Sequence, residues 1–220
     1  MTRLFAAGGK KSELMVRSMS GIVMMVVAIL CIWVGGWPFA VLVGGVGVLM
    51  AKEWNDLVRD QGSDFKLLGI AYILFPIGAL LILRNGPHGF GLTLWTLAIV
   101  WATDIGAYFT GRYFGGPKLA PSISPAKTWS GLIGGAVAAG VVGPIVASHG
   151  HNMPMACYIL GAPLGLLAQG GDLFESWLKR VAGVKDSGSL IPGHGGVLDR
   201  LDGVVPVATV MGLLRLLGAF

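Results

Sequence analysis

The sequence has 220 residues, 54% of them hydrophobic and only 12% charged, with a mean hydropathy of +0.74. A soluble domain carries about 25% charged residues, so this composition excludes a single water-soluble core and reads as a polytopic membrane protein. The net charge of +5 is modest, and where the charges fall says more than their sum.

A bilayer core takes about 20 apolar residues per helix. Seven segments meet that pattern in chain order, at roughly 18–35, 37–52, 67–83, 90–110, 130–148, 154–171 and 203–219. The first follows Arg17 directly and continues into a second apolar run, so it reads as a retained helix rather than a cleaved leader. The first pair is joined by Gly35-Gly36-Trp37-Pro38, a turn signal. The 36 glycines suit helices that approach one another closely. Cys31 and Cys157 both lie in apolar runs, with no disulfide framework or metal-ligand spacing.

Lysine and arginine favour the cytoplasmic side. With the N-terminus inside, 14 of the 16 basic residues fall on inner segments, and only Arg84 and Arg215 lie outside or near the outer end. The expected fold is therefore an all-α, polytopic membrane bundle of about seven transmembrane helices, with its working site at the cytoplasmic face. Residues 1–220 read as one membrane domain, with spans only in 1–90 and the chemistry-bearing motifs in 91–220. Glu53 and Arg59 read as members of a remote inner loop.

Four constellations stand out along the chain. Asp104 lies inside the fourth apolar run, about 12 Å from Arg112 if helical. A carboxylate at that depth faces either a polar cavity or a cation on a neighbouring helix. Residues 121–131, PSISPAKTWSG, bring Ser124, Lys127 and Thr128 into one inter-span loop, a set of hydroxyls and one ammonium suited to phosphate. Residues 170–180, GGDLFESWLKR, place Asp172, Ser176 and Lys179 on one helical face and pair Glu175 with Lys179 at i, i+4. The alternative there is an interfacial helix with Phe174, Trp177 and Leu178 in lipid.

The fourth constellation runs from Lys185 to Asp202, KDSGSLIPGHGGVLDRLD. Its glycines and Pro192 forbid a regular helix in the first half and let backbone N–H groups approach an anion. Asp199 and Asp202 stand three apart at the start of the last apolar run, and carboxylates in that setting suit Mg²⁺, commonly held by one or two carboxylates plus substrate phosphates. His194 is a candidate phosphate contact or proton carrier, or a loop hydrogen-bonding residue. His88, His149 and His151 read as loop residues. The chain has no P-loop and no HExxH helix, no GxSxG elbow, and no basic block with interleaved aromatics for nucleic acid.

Residues 176–202, SWLKRVAGVKDSGSLIPGHGGVLDRLD, hold seven charged residues in 27 and resemble the signature of phosphatidate cytidylyltransferase, also called CDP-diacylglycerol synthase. WATDIGAYFTGRYFGG and SPAKTWSG upstream are similar to that family in the same order. The resemblance covers about residues 95–205. Ser130 stands where the family commonly has an acidic or amide residue, and family members are often longer at the N-terminal side.

The resemblance implies CTP and phosphatidic acid as substrates, giving CDP-diacylglycerol and pyrophosphate. It implies Mg²⁺ as cofactor, in two metal sites, with Asp172 and Asp199 as ligands and Asp202 and Asp186 as weaker candidates. Ser124, Lys127 and Thr128 would contact nucleotide phosphates. Lys179, Arg180, Lys185 and Arg200 would hold phosphates of either substrate. Gly195 and Gly196 would allow close backbone approach, Ser176 would join the substrate contacts, and Asp104 would support the cavity or a second metal. The expected catalytic set is Asp172, Asp199, Lys185, Arg200 and His194. Expected partners are the two substrates, the bilayer of a bacterial-type inner membrane, no nucleic acid, and a second copy of the chain as a candidate homodimer partner. The rival readings are a CTP-dependent lipid-alcohol kinase, which would release CDP, and a transporter using Asp104 as a coupling carboxylate.

Overall fold

The computed structural model describes residues 21–150, 152–188 and 195–219. His151 and His194 lie outside the described residues. The chain is mostly helical. Helix α1 (Gly21–Val34) turns through Gly35 and Gly36 into α2 (Gly36–Leu57). Both glycines have positive φ, 70° and 54°, a region a side chain disfavours, which lets one apolar helix end and the next begin within so short a connection. Arg84 at the end of α3 (Ser63–Asn85) closes this corner by donating to the carbonyls of Ile32 and Trp33 at 2.6 and 3.0 Å.

Helix α4 (Gly89–Phe114) leads into two short strands, β1 (Lys118–Ala120) and β2 (Ser124–Thr128), and then α5 (Trp129–His149). The strands pair antiparallel, Lys118 opposite Thr128 and Ala120 opposite Ser124, with an irregularity between the two pairs. This hairpin departs from the expected all-α fold, which left residues 121–131 as a loop. The short α6 (Ala156–Ile159) precedes α7 (Gly161–Val181), and α8 (Leu198–Leu201) and α9 (Val204–Leu216) follow. By length and composition α3, α4 and α5 can each cross a membrane, while α9 and the described part of α1 are apolar but shorter.

One apolar core lies among α3, α4, α5, α7 and α9, built on Leu83, Trp95, Ile99, Leu164, Val207 and Met211. Buried Trp95 donates its indole N–H to the Gly143 carbonyl at 2.9 Å, tying α4 to α5. Small residues bring α4, α5 and α7 together: a Cβ on Gly165 would stand 2.8 Å from Ala139 Cβ and 2.9 Å from Thr103 Oγ1. A second core joins α2, α3, α7 and α8 through Met50, Trp54, Ile73, Leu178 and Leu198. Val197 and Leu198 belong to it, so the start of α8 is seated on packed helix ends.

The segment read as a span at 154–171 is split between α6 and the first half of α7, and α7 runs on without a break through the amphipathic stretch to Val181. Leu178 is 1% exposed, Phe174 packs on Tyr72 and Trp177 stacks on Phe65. The apolar side of this helix end is therefore spent largely on α3.

Candidate active site

The C-terminal half of α4, the middle of α7, the N-terminus of α5, the hairpin and α8 come together on one side of the bundle. Between them lies an open cavity of about 520 Å³ whose wall includes Asp104, Lys127, Thr128, Asp172, Asp199 and Asp202. That volume is within the range of small-molecule sites. Asp104 comes from α4, Lys127 and Thr128 from β2, Asp172 from α7 and Asp199 from α8. Members of three separate sequence motifs, together with the intrahelical Asp104, thus share one cavity.

Each of the two leading carboxylates already faces an ammonium. Lys127 Nζ lies 2.5 Å from Asp172 Oδ2, and Lys179 Nζ lies 2.5 Å from Asp199 Oδ1. Ser176 donates to Asp172 Oδ1 at 3.3 Å, one turn along the same helix. Asp199 Oδ2 accepts from the Ser187 N–H at 3.1 Å, the Ser187 hydroxyl at 2.9 Å and the Gly196 N–H at 3.1 Å. Burial alone would raise the Asp199 carboxyl, but the neighbouring Glu175 and Lys179 side chains and the Ser187 N–H outweigh it and hold the group well below the usual carboxylate range. Asp202 behaves oppositely: burial first, then the negative charge of Asp172, pushes it up to about 7, although it accepts the Gly203 N–H.

Lys179 also stands 3.2 Å from Glu175 Oε1, the i, i+4 pair expected from the sequence. Burial first, and then hydrogen bonding with Asp199, push the Glu175 carboxyl up to about 9.

Thr128 is the N-cap of α5, its hydroxyl accepting the Gly131 N–H at 3.1 Å. Ser130 donates to the Gly115 carbonyl and lies 3.0 Å from the Thr128 hydroxyl. The N-terminus of a 21-residue helix therefore opens on the cavity next to Lys127, an arrangement that favours anions.

Other expected contacts are placed elsewhere. Lys179, Arg180, Lys185, Asp186, Arg200, Ser176, Gly195 and Gly196 are not on the wall of this cavity. Lys179 sits behind Asp199. Arg180 donates to the carbonyls of Ile123 and Val184 at 3.2 and 3.3 Å, joining the end of α7 to the hairpin turn. Lys185, Asp186 and Arg200 are exposed. Gly195 has a φ of +84°, while Gly196 offers its N–H to Asp199. Tyr108, Arg112 and Gln169 line the cavity without having been singled out.

Among the described residues, no three His, Cys, Asp or Glu side chains converge closely enough to hold a metal ion by themselves. The donors nonetheless suit a hard cation. Asp104, Asp172, Asp199 and Asp202 share one cavity, and Asp202 feels the charges of both Asp172 and Asp104. Mg²⁺ takes few protein carboxylates and completes its shell with phosphates and water, so a ligand set finished by substrate fits this wall.

The largest correction concerns Glu53. The sequence places it with Arg59 in a remote loop. Arg59 does pair with Asp56 at the exposed surface. Glu53, however, is 2% exposed and accepts the Val197 and Leu198 N–H groups, both at 2.9 Å. Helix α2 runs more than a turn beyond the apolar stretch and delivers this carboxylate to the segment that carries Asp199.

The cytidylyltransferase family model matches residues 15–74 and 63–217. The phosphatidate cytidylyltransferase of Brucella suis is 47% identical over 184 residues, which cover 81% of this chain and 64% of that protein. The proteins of the same name from Rickettsia bellii and Rickettsia conorii are 40% and 35% identical, over 92% and 94% of this chain and 90% and 93% of their own lengths. The chain thus spans just under two thirds of the Brucella relative and nearly all of the Rickettsia ones. Matched along almost its whole length, the chain belongs to the cytidylyltransferase family.

Proposed function

We propose that this chain is a phosphatidate cytidylyltransferase, moving CMP from CTP to phosphatidic acid. The observation that carries the reading is the meeting of Asp172 and Asp199 with Lys127 on one cavity, in a chain 35–47% identical to proteins of that name. One substrate is a soluble polyanion and the other an anionic lipid, and a cavity on one side of an apolar bundle serves both. A phosphate oxygen of the lipid forms a bond to the α-phosphorus of CTP in line, the bond from that phosphorus to the bridging oxygen breaks, and pyrophosphate leaves with the electron pair. The attacking phosphate is already ionised near neutral pH, so the protein's work is positioning and charge neutralisation.

In this reading Lys127 and the α5 N-terminus receive the triphosphate, with Ser124 and Thr128 at the same edge. Asp172 and Asp199, with Asp202 and Asp104 beside them, would hold Mg²⁺. When bound, the ion would neutralise charge on the triphosphate and on the departing pyrophosphate. Arg180, Lys185 and Arg200, outside the cavity wall, serve the lipid phosphate or the segments that bear them. The wider reading has seven crossings of a bacterial inner membrane with the N-terminus and site cytoplasmic, following the distribution of Lys and Arg.

The test is purified protein in detergent with CTP, phosphatidic acid and Mg²⁺. Pyrophosphate release that requires the lipid supports the reading. Release of CDP instead would make the chain a lipid kinase, and lipid-independent or absent turnover would remove the assignment.

A further inference from the structure

We propose that Glu53 is a positioning residue that sets the place of Asp199 by clamping both ends of the segment before it. This rests on the role given to Asp199 above. Glu53 is 2% exposed and is not on the cavity wall, so it acts through other residues. Its Oε1 accepts the Val197 N–H and its Oε2 the Leu198 N–H, each at 2.9 Å, and the Ser187 hydroxyl lies 3.4 Å from Oε2. The two N–H donors stand after residues 189–194, and Ser187, which stands before them, lies against the same carboxylate. The N–H groups that open a helix have no partner within it, and a carboxylate meeting two of them makes strong, charge-assisted bonds.

The fit leaves no spare room. A Cβ on Gly188 would lie 2.8 Å from Glu53 Oε1, and one on Gly196 would lie 2.7 Å from Oε2. Asp199 hangs on the same frame, taking its bonds from Ser187 and Gly196. The Ser187 hydroxyl sits between the two carboxylates and has one proton to give; the shorter distance, 2.9 Å, is to Asp199. Glu53 thus supports the backbone, and the backbone supports Asp199.

The experiment compares wild type, Glu53→Gln, Glu53→Asp and Gly188→Ala in detergent, by kinetics and by amide hydrogen exchange. Glu53→Gln keeps the shape but turns an NH₂ toward an N–H donor. It should lower kcat roughly 100-fold, the cost of a misplacement of about 1 Å, while KM for CTP moves less than about threefold. Exchange in residues 185–203 should quicken roughly tenfold, as an unsatisfied buried group implies, with residues 90–149 unchanged. Glu53→Asp should recover part of kcat. Gly188→Ala should reproduce the defect, and the double variant Glu53→Gln/Gly188→Ala should lose less than the product of the two. Wild-type kcat in Glu53→Gln, or a loss with exchange quickened equally across 90–149, overturns the proposal. Wild-type protein that releases no pyrophosphate overturns the reaction instead, and the exchange comparison still decides whether Glu53 holds this segment.

Discussion

Lys127 on β2 pairs with Asp172 on α7 across 45 positions of sequence. The pair is partly buried, 18% and 36% exposed at the two side chains. It joins the hairpin to the helix that carries the first candidate metal ligand. The ammonium stands directly beside Asp172, where it would compete with a cation held by that carboxylate. Lys127→Ala should therefore have two opposite effects. KM for CTP should rise roughly 10- to 100-fold, the value of a hydrogen bond to a charged group. Binding of Mn²⁺ alone, followed by electron paramagnetic resonance, should tighten because the competing ammonium is gone. An unchanged CTP dependence would clear the hairpin of a nucleotide role.

Asp199 is the most heavily engaged carboxylate of the site, meeting Lys179, Ser187 and Gly196 at once. Asp199→Asn should cut turnover on the order of 10²–10³-fold, comparable with the loss of a transition-state contact. Lys179 keeps its contact with Glu175, so membrane insertion and elution in detergent should stay as in wild type. Near-normal pyrophosphate release from this variant would remove Asp199 from the metal assignment.

If substrate phosphates complete the metal shell, chelation and nucleotide must act together. EDTA should abolish turnover and Mg²⁺ restore it. The melting temperature should rise far more with Mg²⁺ and CTP than with either alone. At a ligand concentration of about 100 times Kd, linkage gives about 2.7 kcal/mol. Asp172→Asn should erase this joint stabilisation. Equal shifts from CTP with and without Mg²⁺ would mean that the carboxylates serve another purpose.

The parts of this molecule that are local in sequence were legible from it. The apolar runs at 67–83, 90–110 and 130–148 correspond to α3, α4 and α5, and the Glu175–Lys179 pair follows from helical spacing alone. What escaped depends on distant partners. Nothing near Glu53 announces that its hydrogen bonds lie 134 to 145 positions away, so it reads as the polar end of a short apolar run. Residues 121–131 join two apolar runs and read as a loop, yet a turn over 121–123 lets two short strands pair. The apolar run ending at 171 and the helical stretch 170–180 read as separate features, but α7 carries both. A Cβ on Gly171 would meet the Asp202 carbonyl and Pro206, so this glycine serves close packing against the start of α9.

That packing role gives a stability test independent of the chemistry. Gly165 and Gly170 lie on the same helix, and both would gain helix propensity as alanine, by about 1 kcal/mol. Their surroundings differ. The added methyl at Gly165 would stand 2.8 Å from Ala139 Cβ and 2.9 Å from Thr103 Oγ1, whereas nothing lies within 4 Å at Gly170. Overpacking of a tight site costs about 1–3 kcal/mol, enough to cancel or exceed the propensity gain. Thermal unfolding in detergent should show Gly165→Ala melting below wild type and Gly170→Ala at or above it. If both variants rose together, α4, α5 and α7 would not be in the close contact on which the placement of Asp104 beside Asp172 depends.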